Sequence, residues 1–202
     1  MRDEGMQGRI STMRLIPVIG LLILLHAAPG AEAAERKQWT TFNNCKYVEH
    51  SNNDGDSFRL RCGSEQLTLR LYFVDAPETN LSYGERARVQ SEHFATTLDE
   101  TLKAGVKARE FVRDTLKRSF VVVTRKAIAP GRGGDARYYG AVEVDNKGLD
   151  ELLVSRGLAR AMGVTATLPT GEKAAAHMDR LRTLEKQARQ DRRGVWAGSR
   201  KR

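Results

Sequence analysis

The sequence predicts an α+β fold in which five short strands curl into a small β-barrel with helices packed outside. Three observations predict it. Residues 45–74 alternate apolar and polar side chains around two turn signals, the pattern of paired strands. A helical stretch over 80–118 interrupts the strands, and two β-rich runs, Phe120–Thr124 and Tyr138–Val144, come after it. The chain then closes with two helical patterns. Hydrophobic residues make up 40% of the 202 positions and charged residues 29%, a globular balance that disfavours disorder or a fibrous repeat.

Taken in order, the first strands flank Asn52-Asn53-Asp54-Gly55, residue types that tolerate the backbone of a tight turn. Phe58 and Leu60 alternate with Ser57, Arg59 and Arg61. After a second turn at Gly63-Ser64-Glu65-Gln66, Leu67, Leu69, Leu71 and Phe73 share one face, and Pro77 stops the run. Arg86 to Phe94 suits a short helix. Thr97 to Glu100 reads as a capping box in front of a longer one, with Leu98, Leu102, Val106, Val112 and Leu116 as its apolar stripe. Residues 129–134 (APGRGG) read as a flexible loop and Asp145 to Gly148 as a turn. Asp150 suits the cap of a short helix with Leu149, Leu152 and Leu153 facing inward. Gly157 suits the left-handed residue after its end, with Leu158 folding back on Leu153. A last helix from about Thr170 places Ala174, Met178, Leu181 and Ala188 on one side and Lys and Arg on the other. Gly194 ends it, and Trp196 folds onto the body. This order of strands and helices suits an OB-type barrel.

The first stretch reads differently. Residues 15–28 (LIPVIGLLILLHAA) form a largely apolar run after Arg9 and Arg14 and before Ala31-Glu32-Ala33. A charged start, a short apolar run and a small-x-small end make a secretory signal peptide over residues 1–33. The run is short of the ~20 residues of a membrane-spanning helix, so an uncleaved anchor is the rival reading. Residues 34–44 then read as a linker, 45–197 as the folded domain and 198–202 as a basic tail. Export implies a secreted or periplasmic protein, with no stable membrane insertion after cleavage.

The formal charge is +9, from 34 Lys and Arg against 25 Asp and Glu. Residues 1–33 hold three of each sign, so the domain keeps the whole excess. A basic surface favours anionic polymers as partners and says nothing about fold. Two cysteines exclude a disulfide-built scaffold and a Cys-x-x-Cys zinc site, and four scattered histidines exclude His-rich metal enzymes. Cys45 and Cys62 lie equidistant from the turn at Asn53-Asp54, so an antiparallel hairpin sets them opposite each other. An oxidising compartment would bond them.

Three acids stand near strand ends: Asp56 after the turn, and Asp75 and Glu78 flanking Pro77, with Arg70 on the strand between. Hard divalent cations take carboxylate and carbonyl oxygens, so two Asp and a further acid would make a metal site with a base beside it. Read alone, Asp54 and Asp56 serve equally as turn residues, and Glu78 as a solvated loop acid. His93 and His177 read as surface or packing residues on helices. Of Tyr138 and Tyr139, one reads as core and the other as a base-stacking candidate.

Asn53-Asp54-Gly55-Asp56-Ser57-Phe58 and Arg70-Leu-Tyr-Phe-Val-Asp75-Ala-Pro77-Glu78 resemble the two signature segments of the thermonuclease, or staphylococcal nuclease-like, family. Glu151 to Ala159 and Gly194-Val-Trp196 resemble two later segments, so the likeness runs from about Cys45 to Trp196. The resemblance implies a Ca²⁺-dependent phosphodiesterase on an OB barrel that cuts DNA, RNA or both and leaves 3′-phosphate and 5′-hydroxyl ends. It implies that Asp56 and Asp75 ligate Ca²⁺ by carboxylates and Ala76 by its carbonyl. Glu78 would be the base for the attacking water, and Arg70 would hold the phosphate. A second arginine would meet charge on the leaving oxygen; an ungapped count from Glu151 puts Arg137 in that place, with Arg132 as the rival.

The sequence departs from the family pattern in three respects. Ala76 stands where Thr is frequent. Arg160-Ala-Met-Gly-Val-Thr165 lacks the family's substrate-touching tyrosines, and the stretch between Glu78 and Phe120 is longer than in compact members. Two rival functions remain open from the sequence. One is a non-catalytic OB-fold module that binds nucleic acid, and the other a cationic envelope protein. For the nuclease a monomer is expected.

Overall fold

The hairpin around Asn53-Asp54 forms as its alternation dictates. In the computed structural model, which describes residues 38–129 and 136–198, β1 (Thr40–Asn43), β2 (Cys45–Val48), β3 (Ser57–Cys62) and β4 (Glu65–Leu71) come first. Cys45 faces Cys62 across β2 and β3. The two are disulfide-bonded, with Cα atoms 4.2 Å apart. Phe58, Leu60, Leu67, Leu69 and Leu71 all point into the core, and their polar neighbours point away. Then come β5 (Val74–Asp75), a 3-10 turn (Leu81–Tyr83), α1 (Gly84–Phe94) and α2 (Leu98–Thr115). The remaining elements are β6 (Phe120–Ala129), β7 (Arg137–Val144), β8 (Lys147–Gly148), α3 (Leu149–Ser155), β9 (Arg160–Ala161), α4 (Ala174–Gln190) and a 3-10 turn over Gly194–Gly198.

The protein is mixed α+β, but the main sheet among the described residues has seven strands where five were expected. Its order is β1-β6-β7-β4-β3-β2, with β8 beside β7, and β5 pairs separately with β9. All pairings are antiparallel except β4 with β7. Thr40–Asn43, inside the stretch expected to be linker, supplies β1 and pairs with β6. Only Asn44, at φ 63°, separates β1 from β2. One kinked segment therefore reaches both ends of the path from β6 to β3.

Some local expectations are corrected. Thr97 does cap α2, its hydroxyl accepting from Glu100 N at 3.2 Å, but the Glu100 carboxylate pairs with Lys103 instead of reaching back. The buried face of α2 is Thr101, Ala104, Gly105, Ala108, Val112 and Thr115; of the expected stripe Val112 and Leu116 are buried, while Leu98, Leu102 and Val106 are only half-buried. The reason is close approach: a Cβ on Gly105 would lie 2.2 Å from the carbonyl oxygen of Glu78, so only small residues fit there. Gly148, not Asp150, is the residue before α3, and Asp150 is buried against His177. Gly157 has φ 67°, and Leu158 N donates to Leu153 O as a left-handed ending requires. Trp196 is buried against Phe94, ring centroids 4.9 Å apart. The expected signal segment, Arg132 and residues 199–202 of the tail lie outside the described residues.

Candidate active site

Asp56 sits at the end of the hairpin turn, just before β3. The turn is built by Asp54, whose Oδ1 accepts from the backbone N–H of Asp56 at 3.0 Å and of Ser57 at 2.6 Å. Gly55 allows the turn to press inward, since a Cβ there would lie 2.7 Å from both Ala76 and Ala108. The result is a carboxylate 1% exposed, aimed at the segment after β5. Its Oδ2 accepts from Ala76 N at 2.7 Å.

Arg70 comes from β4, directly across from Ser57. Its Nη1 donates to Asp56 Oδ1 at 2.5 Å and its Nη2 to Asp75 Oδ1 at 3.1 Å. Asp75 closes β5, opposite Arg160 of β9. Arg160 donates from Nε to Asp75 Oδ2 at 2.8 Å, and Arg86 of α1 from Nη2 to Oδ1 at 2.7 Å. Arg86 also donates from Nε to Glu78 Oε1 at 2.8 Å. The acids thus form a row, Asp56, Asp75 and Glu78, joined by Arg70 and Arg86. Arg137, at the start of β7, donates from Nη1 to Ser57 Oγ at 3.0 Å, and that hydroxyl donates to Asp56 Oδ1 at 3.2 Å.

The surroundings set the charge states. Burial pushes the Asp56 carboxyl well above the usual carboxylate range, with Arg70 opposing it. Burial acts the same way on Asp75. There the Gln90 hydrogen bond and the charges of Arg160, Arg70 and Arg86 outweigh it, so that carboxyl lies below its ordinary value. Burial works against the Arg70 charge, but Asp56, Asp54 and Asp75 hold its proton more tightly than usual. An open pocket of about 470 Å³ lies beside Asp75, walled by Arg70, Asp75, Arg86, Arg137, Tyr139 and Arg160; Asp56 and Glu78 do not line it.

The donor set can be tested against a hard divalent cation. Asp56 and Asp75 already converge on one cationic group, the Arg70 guanidinium. The Ala76 carbonyl follows Asp75 directly in sequence and shares the Gln90 amide donor with it. Two carboxylates and a carbonyl suit Ca²⁺, which takes its remaining oxygens from water. No cluster of three or more His, Cys, Asp or Glu side chains that could hold a metal occurs among the described residues. A site made from these residues would offer two carboxylates and a carbonyl, with water supplying the remaining oxygens.

The structure brings Asp56, Arg70, Asp75, Glu78 and Arg137 into one hydrogen-bonded cluster with Ala76, of which Arg70, Asp75 and Arg137 line the pocket. Four more residues join that the sequence did not single out: Ser57, Arg86, Gln90 and Arg160. Gln90 had a readable signal, a polar side chain in helical phase with buried Ala87 and Phe94. Arg160 follows directly on Gly157-Leu-Ala159. Arg86 had none, being one of several charged residues opening α1. His177 is buried, its Nε2 2.6 Å from Asp150 Oδ2, while His93 pairs with Glu185 at the surface. Neither lines the pocket.

A family model described as "Staphylococcal nuclease homologue" matches residues 68–198. The match takes in Arg70, Asp75, Ala76, Glu78 and Arg137, and begins after Asp56. No curated protein sequence matches the chain. No described helix is long and apolar enough to cross a membrane.

Proposed function

The chain belongs to the staphylococcal nuclease homologue family, and from that premise we propose that it is an exported Ca²⁺-dependent nuclease, hydrolysing phosphodiester bonds of DNA, RNA or both to 3′-phosphate and 5′-hydroxyl ends. The observation that carries the reading is the row of three buried acids joined by two arginines, its middle member Asp75 opening on a pocket walled by four arginines. A site of that kind suits a phosphodiester, whose charge must be met and whose attacking water must be placed.

In this reading Asp56, Asp75 and the Ala76 carbonyl hold Ca²⁺, which supplies Lewis-acid polarisation of the phosphate when bound. Arg70 and Arg137 grip the phosphate oxygens, their planar forks suited to two oxygens at a time. Glu78 takes the proton of the attacking water as its oxygen adds to phosphorus. The bond from phosphorus to the 5′ oxygen breaks, Arg137 meets the charge on that oxygen, and solvent returns a proton to it.

The same reading places the chemistry on an OB-type barrel that includes β1. What supports it is that β1 and β2, one residue apart, pair with β6 and β3 at opposite ends of the sheet path, and that β4 and β7 run parallel. Residues 1–33 would be a cleaved leader, with a secreted or periplasmic monomer as product. The Cys45–Cys62 bond agrees with an oxidising compartment.

One observation favours a second reading, a nucleic-acid-binding module without catalysis: Asp75 accepts from three arginines and Gln90, a degree of satisfaction that suits a purely structural acid. A single assay separates the two. Mature protein is incubated with plasmid and with single-stranded DNA, with Ca²⁺ or with chelator. Cleavage in Ca²⁺ alone supports the nuclease; binding without cleavage under both conditions supports the module.

A further inference from the structure

The segment Asp75-Ala76-Pro77-Glu78 carries most of the proposed chemistry and little regular structure. β5 ends at Asp75, and Pro77 has no N–H with which to anchor the turn. Gln90 of α1, 0% exposed, meets this segment with its whole amide. Its Nε2 donates to Asp75 Oδ2 at 3.0 Å and to the Ala76 carbonyl at 2.8 Å. Its Oε1 accepts from Glu78 N at 2.8 Å. On the other side, Gly105 of α2 lies against the carbonyls of Pro77 and Glu78, where a Cβ would come within 2.6 Å and 2.2 Å.

We propose that Gln90 is a positioning residue for catalysis: its amide, with Gly105 behind the segment, sets the direction of the Asp75 carboxylate and the Ala76 carbonyl, and fixes the backbone from which Glu78 reaches the water. The argument is chemical. Gln90 lies on the buried face of α1 with Ala87 and Phe94, where an apolar side chain would fill the space without polar groups to satisfy. An amide is worth its desolvation only if donors and acceptor are all met, and here they are met by three functional positions, Asp75, Ala76 and Glu78, within one four-residue segment. Two of the three are proposed metal-binding atoms. A supporting residue of this kind orients ligands without touching substrate, and its removal commonly costs 10–100-fold in affinity or activity. The helix that bears Gln90 belongs to the long stretch after Glu78, so that stretch would serve the site directly.

This inference rests on the nuclease reading, and the experiment keeps their failures apart. Gln90→Met keeps length and fills the space but makes none of the three bonds. Gln90→Glu keeps an acceptor for Glu78 N–H, loses the amide donor and brings an acid to Asp75; it serves if Gln90→Met does not fold. Folding is checked by circular dichroism. Ca²⁺ affinity is measured by calorimetry without nucleic acid, kcat and KM on one single-stranded DNA, and exchange of the Glu78 amide by NMR. The expected result is a folded variant whose kcat falls about 10–100-fold with KM nearly constant, Ca²⁺ bound at least several-fold more weakly, and faster exchange at Glu78. A folded variant with wild-type kcat and wild-type Ca²⁺ affinity overturns the inference. If the wild-type protein itself cuts nothing, the nuclease reading falls. The positioning role is then decided by exchange, and a Glu78 amide as protected in the variant as in wild type overturns it.

Discussion

Asp56 and Asp75, nineteen positions apart in the chain, accept from the two ends of one guanidinium: Arg70 Nη1 lies 2.5 Å from Asp56 and Nη2 3.1 Å from Asp75. Both side chains are buried, so neither end of the bridge is a surface ion pair of small consequence. Without its acid partner, Arg70 is left as a buried charge with one partner fewer. The Ala76 N–H also loses its acceptor.

Asp56→Ala is therefore expected to act twice. Breaking one side of a buried pair typically costs about 3–5 kcal/mol, which a urea titration would read as a lower midpoint. Nuclease activity is expected to fall by orders of magnitude even where the variant is folded, because a carboxylate ligand is gone. A stable variant that cuts DNA normally would remove Asp56 from the site.

Glu78→Gln preserves shape, and its amide cannot take the proton of a water molecule. Loss of a general base commonly lowers kcat by about 10²–10⁴-fold. Ca²⁺ affinity should change far less, since Glu78 is held by Arg86 and by Gln90 and is not placed among the ligands. A normal rate together with weakened Ca²⁺ binding would instead make Glu78 a ligand.

The strand alternation, the hairpin register and the disulfide were legible because each depends on local sequence: period two, a turn centred at Asn53-Asp54, and equal spacing of two cysteines from it. The acids and arginines of the signature segments were legible as residue types at a spacing. Arg86 and Arg160 were not, because their meaning lies in reaching Asp75 from elements remote in the chain. The burial of small residues on α2 was misread for a related reason. Larger apolar residues give the stronger periodic signal, while the contact that decides the helix's orientation is between Gly105 and the backbone of Glu78. β1 was taken for linker because four exposed or half-exposed residues, Thr40–Asn43, show no apolar alternation; pairing with β6 makes them a strand.

Arg137 reaches the cluster through Ser57 Oγ, and strand β7 fixes where it starts. A preorganised arginine facing the leaving oxygen acts mainly on the transition state. Arg137→Ala is expected to lower kcat more than it raises KM, at saturating Ca²⁺ on one DNA substrate. Should Arg132→Ala prove the crippled enzyme while Arg137→Ala stays nearly normal, the leaving-group role belongs to Arg132.

The Cys45–Cys62 bond closes a loop of 17 residues that contains the turn bearing Asp54 and Asp56. In the chain-entropy account a loop near that size contributes about 3 kcal/mol. Paired Cys45→Ser and Cys62→Ser replacement should lower stability by roughly that amount with kcat little changed, since neither cysteine lines the pocket beside Asp75. Thiol titration of the denatured, unreduced protein should find none free. Two titratable thiols would overturn the bond.

His177 of α4 lies between two acids, with Nε2 2.6 Å from Asp150 of α3 and Nδ1 3.1 Å from Glu172 in the segment before α4. Its ring packs at 4.5 Å on Phe73, two residues before Asp75, so the cluster ties α3 and α4 to the strand that carries the site. Burial alone would push the imidazole down, and Arg180, one turn along α4, also opposes its charge. Asp150 and Glu172 prevail and raise its pKa above the ordinary 6.5. A histidine whose folded pKa is raised stabilises the fold fully below its unfolded value, and that stabilisation is lost as pH rises through the folded value. Melting temperatures of wild type and His177→Gln, taken at steps from about pH 5.5 to pH 9, test this. Glutamine carries no charge at any of these pH values, so the wild-type advantage should be largest at the acid end and shrink as pH rises. An advantage constant across the range would mean that the imidazole holds its proton no more tightly in the folded chain than in the unfolded one, and would overturn the raised pKa.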